Sequence, residues 1–114
     1  MAMKTKCLAC ARRRWCQSHH VVWEQHGGTR DRRNLVPLCL DCHAGYHARS
    51  IRIRADQLPE AALDYAFERL GVYAFSYLSR RYDGKDPRLD ERLARAEEES
   101  ERLPGYAEIE PPTK

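Results

Sequence analysis

Five cysteines and five histidines lie within the first 47 residues of this 114-residue chain, and their spacing points to two metal sites. Cys7 and Cys10 are separated by two residues, as are Cys39 and Cys42. With that spacing a tight turn presents two thiolates to one tetrahedral ion, with bonds of about 2.3 Å. A lone Cys-x-x-Cys is shared with redox motifs. A second pair, beginning 29 residues after Cys10, points instead to a four-thiolate structural zinc with a folded insert between the pairs. Cys16, the odd cysteine, reads as a small buried residue and not a fifth ligand.

The histidines suggest a second ion. His43 and His47 are four residues apart, so on a helix they share one face and can meet one metal. Cys42 then points about 100° away from His43, so one helix can serve both sites. His19 and His20 are adjacent within a strand-forming run, His19-His20-Val21-Val22-Trp23. Adjacent strand residues face opposite ways, so a bulge or a strand end must bring both near one ion. Taken alone, His43 and His47 read equally as a solvated helix face, and the adjacent His19 and His20 read more readily as structural or incidental. His26 receives no role.

These residues need elements to position them. Residues 1 to 6 are short, polar and expected to fray. Arg12, Arg13 and Arg14 read either as a solvated loop or as phosphate contacts, with Trp15 packing over the zinc knuckle. Residues 24 to 33 form a polar loop with Gly27-Gly28 and the basic Arg30, Arg32 and Arg33. Asn34 to Leu38 reads as a second strand, with Pro37 marking an edge, so strand, loop and strand make a hairpin. A helix follows from Leu40, with Asp41 as N-cap. Ser50 to Arg54 alternates apolar and basic residues, as in a short strand or extended arm. Pro59 opens a helix as its N1 residue, ending near Gly71, with Leu63, Phe67 and Leu70 on its buried face. Residues 72 to 82 form an apolar helix whose aromatics read as core. Asp86-Pro87 caps a third helix of about 16 residues with a stripe of Leu89, Leu93, Ala96 and Leu103; its Glu97-Glu98-Glu99 run reads as a solvated face. Residues 104 to 114 read as a flexible tail.

Composition narrows the function classes. No apolar run approaches the roughly 20 residues of a membrane helix, and no secretory signal is visible. Cysteine pairs in such a chain read as metal ligands, with a cytoplasmic location. Residues 1 to 58 carry 11 Lys and Arg against 4 acidic residues, a net +7, whereas residues 59 to 114 carry 9 against 13, a net −4. The basic half holds the metal motifs, which favours a polyanionic partner.

Cys7-x-x-Cys10, His19-His20, Gly27-Gly28, Asn34-Leu35, Leu38-Cys39-x-x-Cys42-His43 and His47, in that order, resemble the HNH endonuclease family in its zinc-knuckle form. The resemblance covers residues 7 to about 50. It implies an α+β fold with a small ββα-metal core, two antiparallel strands and a helix around one divalent ion. By position it implies His20 as general base, Asn34 as the residue holding that imidazole, and His19, His43 and His47 as ligands of a catalytic Mg, Mn, Ni or Zn ion. It implies DNA as substrate, with Arg12, Arg13, Arg14, Arg30, Arg32 and Arg33 available for phosphates. The family often carries Asp at the position of His19, and Pro and Ser where this chain has Trp23 to His26. Small, separately encoded enzymes of this kind are often of phage or mobile-element origin. The expected organisation is a nuclease core over 1 to 58, a helical extension over 59 to 103 that offers a contact to a partner protein or a second copy, and the tail. The alternative is a non-catalytic, zinc-stabilised nucleic-acid-binding module.

Overall fold

The computed structural model describes residues 3–102. Among these, three antiparallel strands, β1 (Met3–Lys6), β2 (Arg13–His20) and β3 (Leu35–Cys39), pair in the order β1-β2-β3. Four helices follow, α1 (Leu40–His47), α2 (Glu60–Leu70), α3 (Tyr73–Arg81) and α4 (Pro87–Arg102). The class is α+β, and β3 is an edge strand, as Pro37 suggests. Its register sets His19 opposite Val36 and His20 opposite Leu35, so the His pair closes the ladder.

Beyond His20 the chain leaves the sheet through Val21 and Val22, both fully buried, and enters a single 3-10 turn at Glu24–His26. Both glycines of the loop have work to do. Gly27 ends the turn at φ 99°, a region open to glycine at little cost. Gly28 is forced by space. A Cβ there would lie 1.8 Å from the carbonyl oxygen of Val22, while its N–H donates to Trp23 O at 2.9 Å. Gly28→Ala must therefore displace the segment beside the His pair. We expect it to lower stability by about 1–3 kcal/mol, read as a drop in melting temperature.

A single buried cluster runs through the sheet, the loop and the helices, from Cys7 and Leu38 to Leu63, Leu78, Tyr82 and Leu89. Pro59 is the N-cap of α2 and not its first helical residue, whereas α4 begins where Asp86 accepts the N–H of Arg88 at 3.0 Å, with Pro87 at the first helical position. Arg92, only 8% exposed, clamps α4 to α2 through Glu60 (2.7 Å) and Asp64 (2.9 Å). No helix of the described residues is long and apolar enough to cross a membrane.

Several local expectations change. Residues 3 to 6 do not fray; they pair with β2, Lys4 opposite Trp15. The strand bearing the His pair lies further upstream than expected and includes Arg13 and Arg14. Trp15 is 60% exposed and lines a surface cleft with Lys4, Leu40 and Cys39. The N-cap of α1 is Cys39; Asp41 sits in the first turn and pairs with Arg14 at 3.0 Å. Residues 50 to 54 form no strand, only an isolated bridge from Arg54 to Asp83. Leu103 and the tail from 104 to 114 lie outside the described residues.

Candidate metal centre and active site

The first site grows from the β1–β2 turn and the β3–α1 junction. The turn is closed by Cys7 N–H donating to Arg12 O and Ala11 N–H donating to Cys7 O, each 2.9 Å, and is tied to β3 by Leu8 N–H to Pro37 O. This places Cys7 and Cys10 against Cys39, the last residue of β3, and Cys42, in the first turn of α1. The four sulfurs lie within 4.8 Å of one another. A tetrahedral zinc with bonds of about 2.3 Å needs sulfur separations of about 3.8 Å, so the set can hold one ion. Burial raises the Cys7 thiol, but backbone N–H groups of Cys10, Cys39 and Ala9 outweigh this and bring it down to about 7. Burial and the neighbouring thiols push Cys42 up. Four adjacent sulfurs cannot all ionise without a cation, which is the chemistry of a zinc cluster. Cys16, buried and bonded to Thr5 O and Arg14 O, lies outside it.

The second site is a cleft of about 150 Å³ lined by Ser18, His19, His20, Trp23, Glu24, His43 and His47. Along β2, Gln17 and His19 share a face and look toward α1. His43 and His47, one turn apart on α1, meet them. Candidate ligand atoms of His19, His43 and His47 all lie within 4.8 Å of one another. His43 Nδ1 donates to Gln17 Oε1 at 2.9 Å, leaving its Nε2 bare, 3.2 Å from His47 Nε2. Two ring nitrogens that close share either a proton or a cation, and about 3.3 Å is the edge of a tetrahedron with metal–nitrogen bonds of about 2.0–2.1 Å. The donor set therefore fits a divalent ion. His19 is 2% exposed; burial first, then the charges of His43, His47 and His20, lower its pKa to about 3, so it stays a neutral imidazole. Burial and His47 also lower His43.

His20 lines the same cleft because the strand ends on it, which is how neighbours of opposite pleat come to share one site. Its Nε2 is buried with no hydrogen-bond partner among the described residues, 3.9 Å from a carboxylate oxygen of Glu24. A buried ring nitrogen without a partner is costly, and the wall of a polar cleft is where water or substrate supplies one.

Asn34 requires a correction. It is fully buried, yet its amide does not hold the His20 ring. Its Oδ1 accepts Val22 N–H at 2.7 Å, and its two amide protons go to Val22 O and Thr29 O at 2.9 Å each. Both donors are spent on the loop backbone, which ties Val22 to Thr29. The arginines also separate. Arg33 is engaged by Asp31 (3.0 Å) and Glu68 (2.6 Å) and lies over the Tyr65 ring, so it is a loop anchor and not a free phosphate contact. Arg14 is paired with Asp41. Arg12, Arg13, Arg30 and Arg32 are exposed and make no ion pair among the described residues.

The helical half contributes groups that motif reading missed. The Tyr65 hydroxyl accepts Thr29 N–H at 2.8 Å, the Tyr77 hydroxyl accepts Trp23 N–H at 3.0 Å, and the Tyr82 hydroxyl lies 3.0 Å from His19 Nε2. Gln17 had a readable signal, two residues before His19 on the same strand face. Tyr82 had none, being 63 residues from its partner.

No curated protein and no solved structure matches the chain. Residues 7–49 match the family model described as HNH endonuclease, a span that holds all four clustered cysteines and every histidine of the cleft. Over residues 7–49, this chain is similar to the HNH endonuclease family.

Proposed function

We propose that the protein is a metal-dependent DNA endonuclease that hydrolyses phosphodiester bonds. The observation that carries this reading is the cleft itself: three imidazoles converge beside a fourth, His20, whose Nε2 is unsatisfied, inside the family-matched segment. His19, His43 and His47 would hold the ion, with Gln17 fixing the tautomer of His43. A divalent ion held there supplies positive charge to the scissile phosphate and the leaving oxygen. His20 takes a proton from the attacking water as its oxygen bonds to phosphorus and the ester P–O bond breaks. Asn34, through Val22 and Thr29, keeps His20 at the cleft. Arg12, Arg13, Arg30 and Arg32 neutralise flanking phosphates. The four cysteines carry a structural zinc, residues 1–58 form the nuclease core, and 59–103 form its extension.

The test is nicking of supercoiled plasmid by protein that retains its cysteine-bound metal but has been stripped at the histidine site, with Mg²⁺, Mn²⁺, Ni²⁺ or Zn²⁺ added back. Cutting should appear with at least one ion. If four arginines contact phosphate, the logarithm of DNA affinity should fall against the logarithm of salt with a slope of about −3 to −4. DNA binding without cutting under any of these ions would favour the other reading, a zinc-stabilised binding module, which the four-cysteine cluster and the exposed arginines also fit. A flat salt dependence would remove the arginines from the interface.

A further inference from the structure

Tyr82 stands immediately after α3, well outside the family-matched segment, yet its hydroxyl reaches His19. It is 1% exposed and stacks on Tyr46 of α1, with ring centroids 5.9 Å apart and planes 19° apart. The His19 ring is 2% exposed and is surrounded by the His43, His47, Tyr46 and Tyr82 rings. His19 lines the cleft, and Tyr82 does not. Nε2 is engaged by the Tyr82 oxygen at 3.0 Å, so the ring nitrogen left for an ion is Nδ1.

A neutral imidazole has one N–H and one lone pair, so the partner of one nitrogen decides what the other can do. Were the Tyr82 O–H to donate to Nε2, the proton of His19 would sit on Nδ1 and the ring would have no lone pair for an ion. With Nε2–H donating to the Tyr82 oxygen, Nδ1 is bare. Tyr82 can accept in this way because a phenol oxygen keeps a lone pair for an N–H donor while its own O–H points elsewhere.

We propose that Tyr82 is a positioning residue of the metal centre: its hydroxyl oxygen accepts His19 Nε2–H and so fixes the tautomer that presents Nδ1 to the ion. This rests on the three-histidine reading above, and it makes the helical extension a structural part of the site. Second partners of metal-binding histidines typically change metal affinity about 10- to 100-fold.

The experiment has two arms, neither of which uses cleavage. In the first, ¹⁵N imidazole NMR of wild-type protein, loaded at the cysteines and free of metal at the histidines, should find His19 with a protonated Nε2 and a bare Nδ1. The opposite tautomer overturns the proposal, and no variant needs to fold for this arm. In the second, Co²⁺ titration followed by its visible spectrum should show Tyr82→Phe binding at the histidine site about 10- to 100-fold more weakly than wild type. The cooperative melt and the content of cysteine-bound metal should be retained. Wild-type affinity in Tyr82→Phe overturns the proposal while leaving the three-histidine site standing. A wild type that binds no second Co²⁺ removes that site, and the proposal with it.

Discussion

Removing the ion from the four cysteines is expected to abolish the cooperative melt of the protein, not merely to shift it. The sheet, the first helix and the cleft all hang on that cluster. Cys7 and Cys10 hold the β1–β2 turn, Cys39 ends β3, and Cys42 opens α1, the helix that carries His43 and His47. A structural zinc contributes about 10–16 kcal/mol of apparent binding free energy in small zinc domains, whereas the whole stability of an ordinary domain is about 5–15 kcal/mol. Loss of the ion is therefore comparable to everything else that holds the fold. Acid should act in the same direction, because protons compete with zinc for the thiolates and affinity falls with pH. The measurement is calorimetry before and after a strong chelator, with elemental analysis of the washed protein. About one tightly held zinc per chain is expected. Protein that lacks zinc and still melts cooperatively at the unchanged temperature would dismiss the structural role. Cys16→Ser gives the matched control, since Cys16 is as buried as Cys7 and Cys39 but outside the cluster, and it should keep its zinc.

Much of this site could be read from the chain because its signals are local. Two Cys-x-x-Cys pairs and a His-x-x-x-His helix carry their own geometry, and the structure brings both sets together as the spacing suggests. A strand end was needed to seat His19 and His20 at one cleft, and β2 does stop at His20. Local propensity failed where pairing partners decide. Residues 3 to 6 look frayed in isolation and become a strand because β2 offers them an edge. Asn34 looks like a partner for an imidazole, but its buried amide is claimed by loop carbonyls and an N–H that have few other partners within reach. The arginines carry the same charge in sequence, and only the fold shows that Asp31 and Glu68 take Arg33. Tyr77 and Tyr82 read as core aromatics, and Tyr65 receives no role in the sequence reading. Their hydroxyls, aimed at the loop and at His19, act over separations of 36 to 63 residues that no periodicity encodes.

His20→Ala should be inactive as a nuclease while binding DNA and both metals as the wild type does. His20 belongs neither to the three-imidazole cluster nor to the cysteines, so removing it takes no ligand from either site. It also makes no hydrogen bond through Nε2 among the described residues, so truncation orphans no partner of that atom. On the proposed mechanism, what is lost is the proton acceptor for the attacking water. A positioned general base typically contributes about 10²- to 10⁴-fold in rate. Because the proton moves only in the transition state, the loss should fall on the rate of cutting and not on DNA affinity. His43→Ala provides the contrast. It removes a ligand whose ring Gln17 holds in place, so the ion should bind more weakly and excess Mn²⁺ should restore part of the activity. His47→Ala should follow the same pattern more mildly, since that ring is the exposed member of the three. No concentration of metal should rescue His20→Ala. Single-turnover nicking of supercoiled plasmid across a metal titration separates these cases. If His20→Ala cuts at the wild-type rate, the base lies elsewhere in the cleft. If Mn²⁺ restores it as it restores His43→Ala, His20 is a metal ligand and not the base.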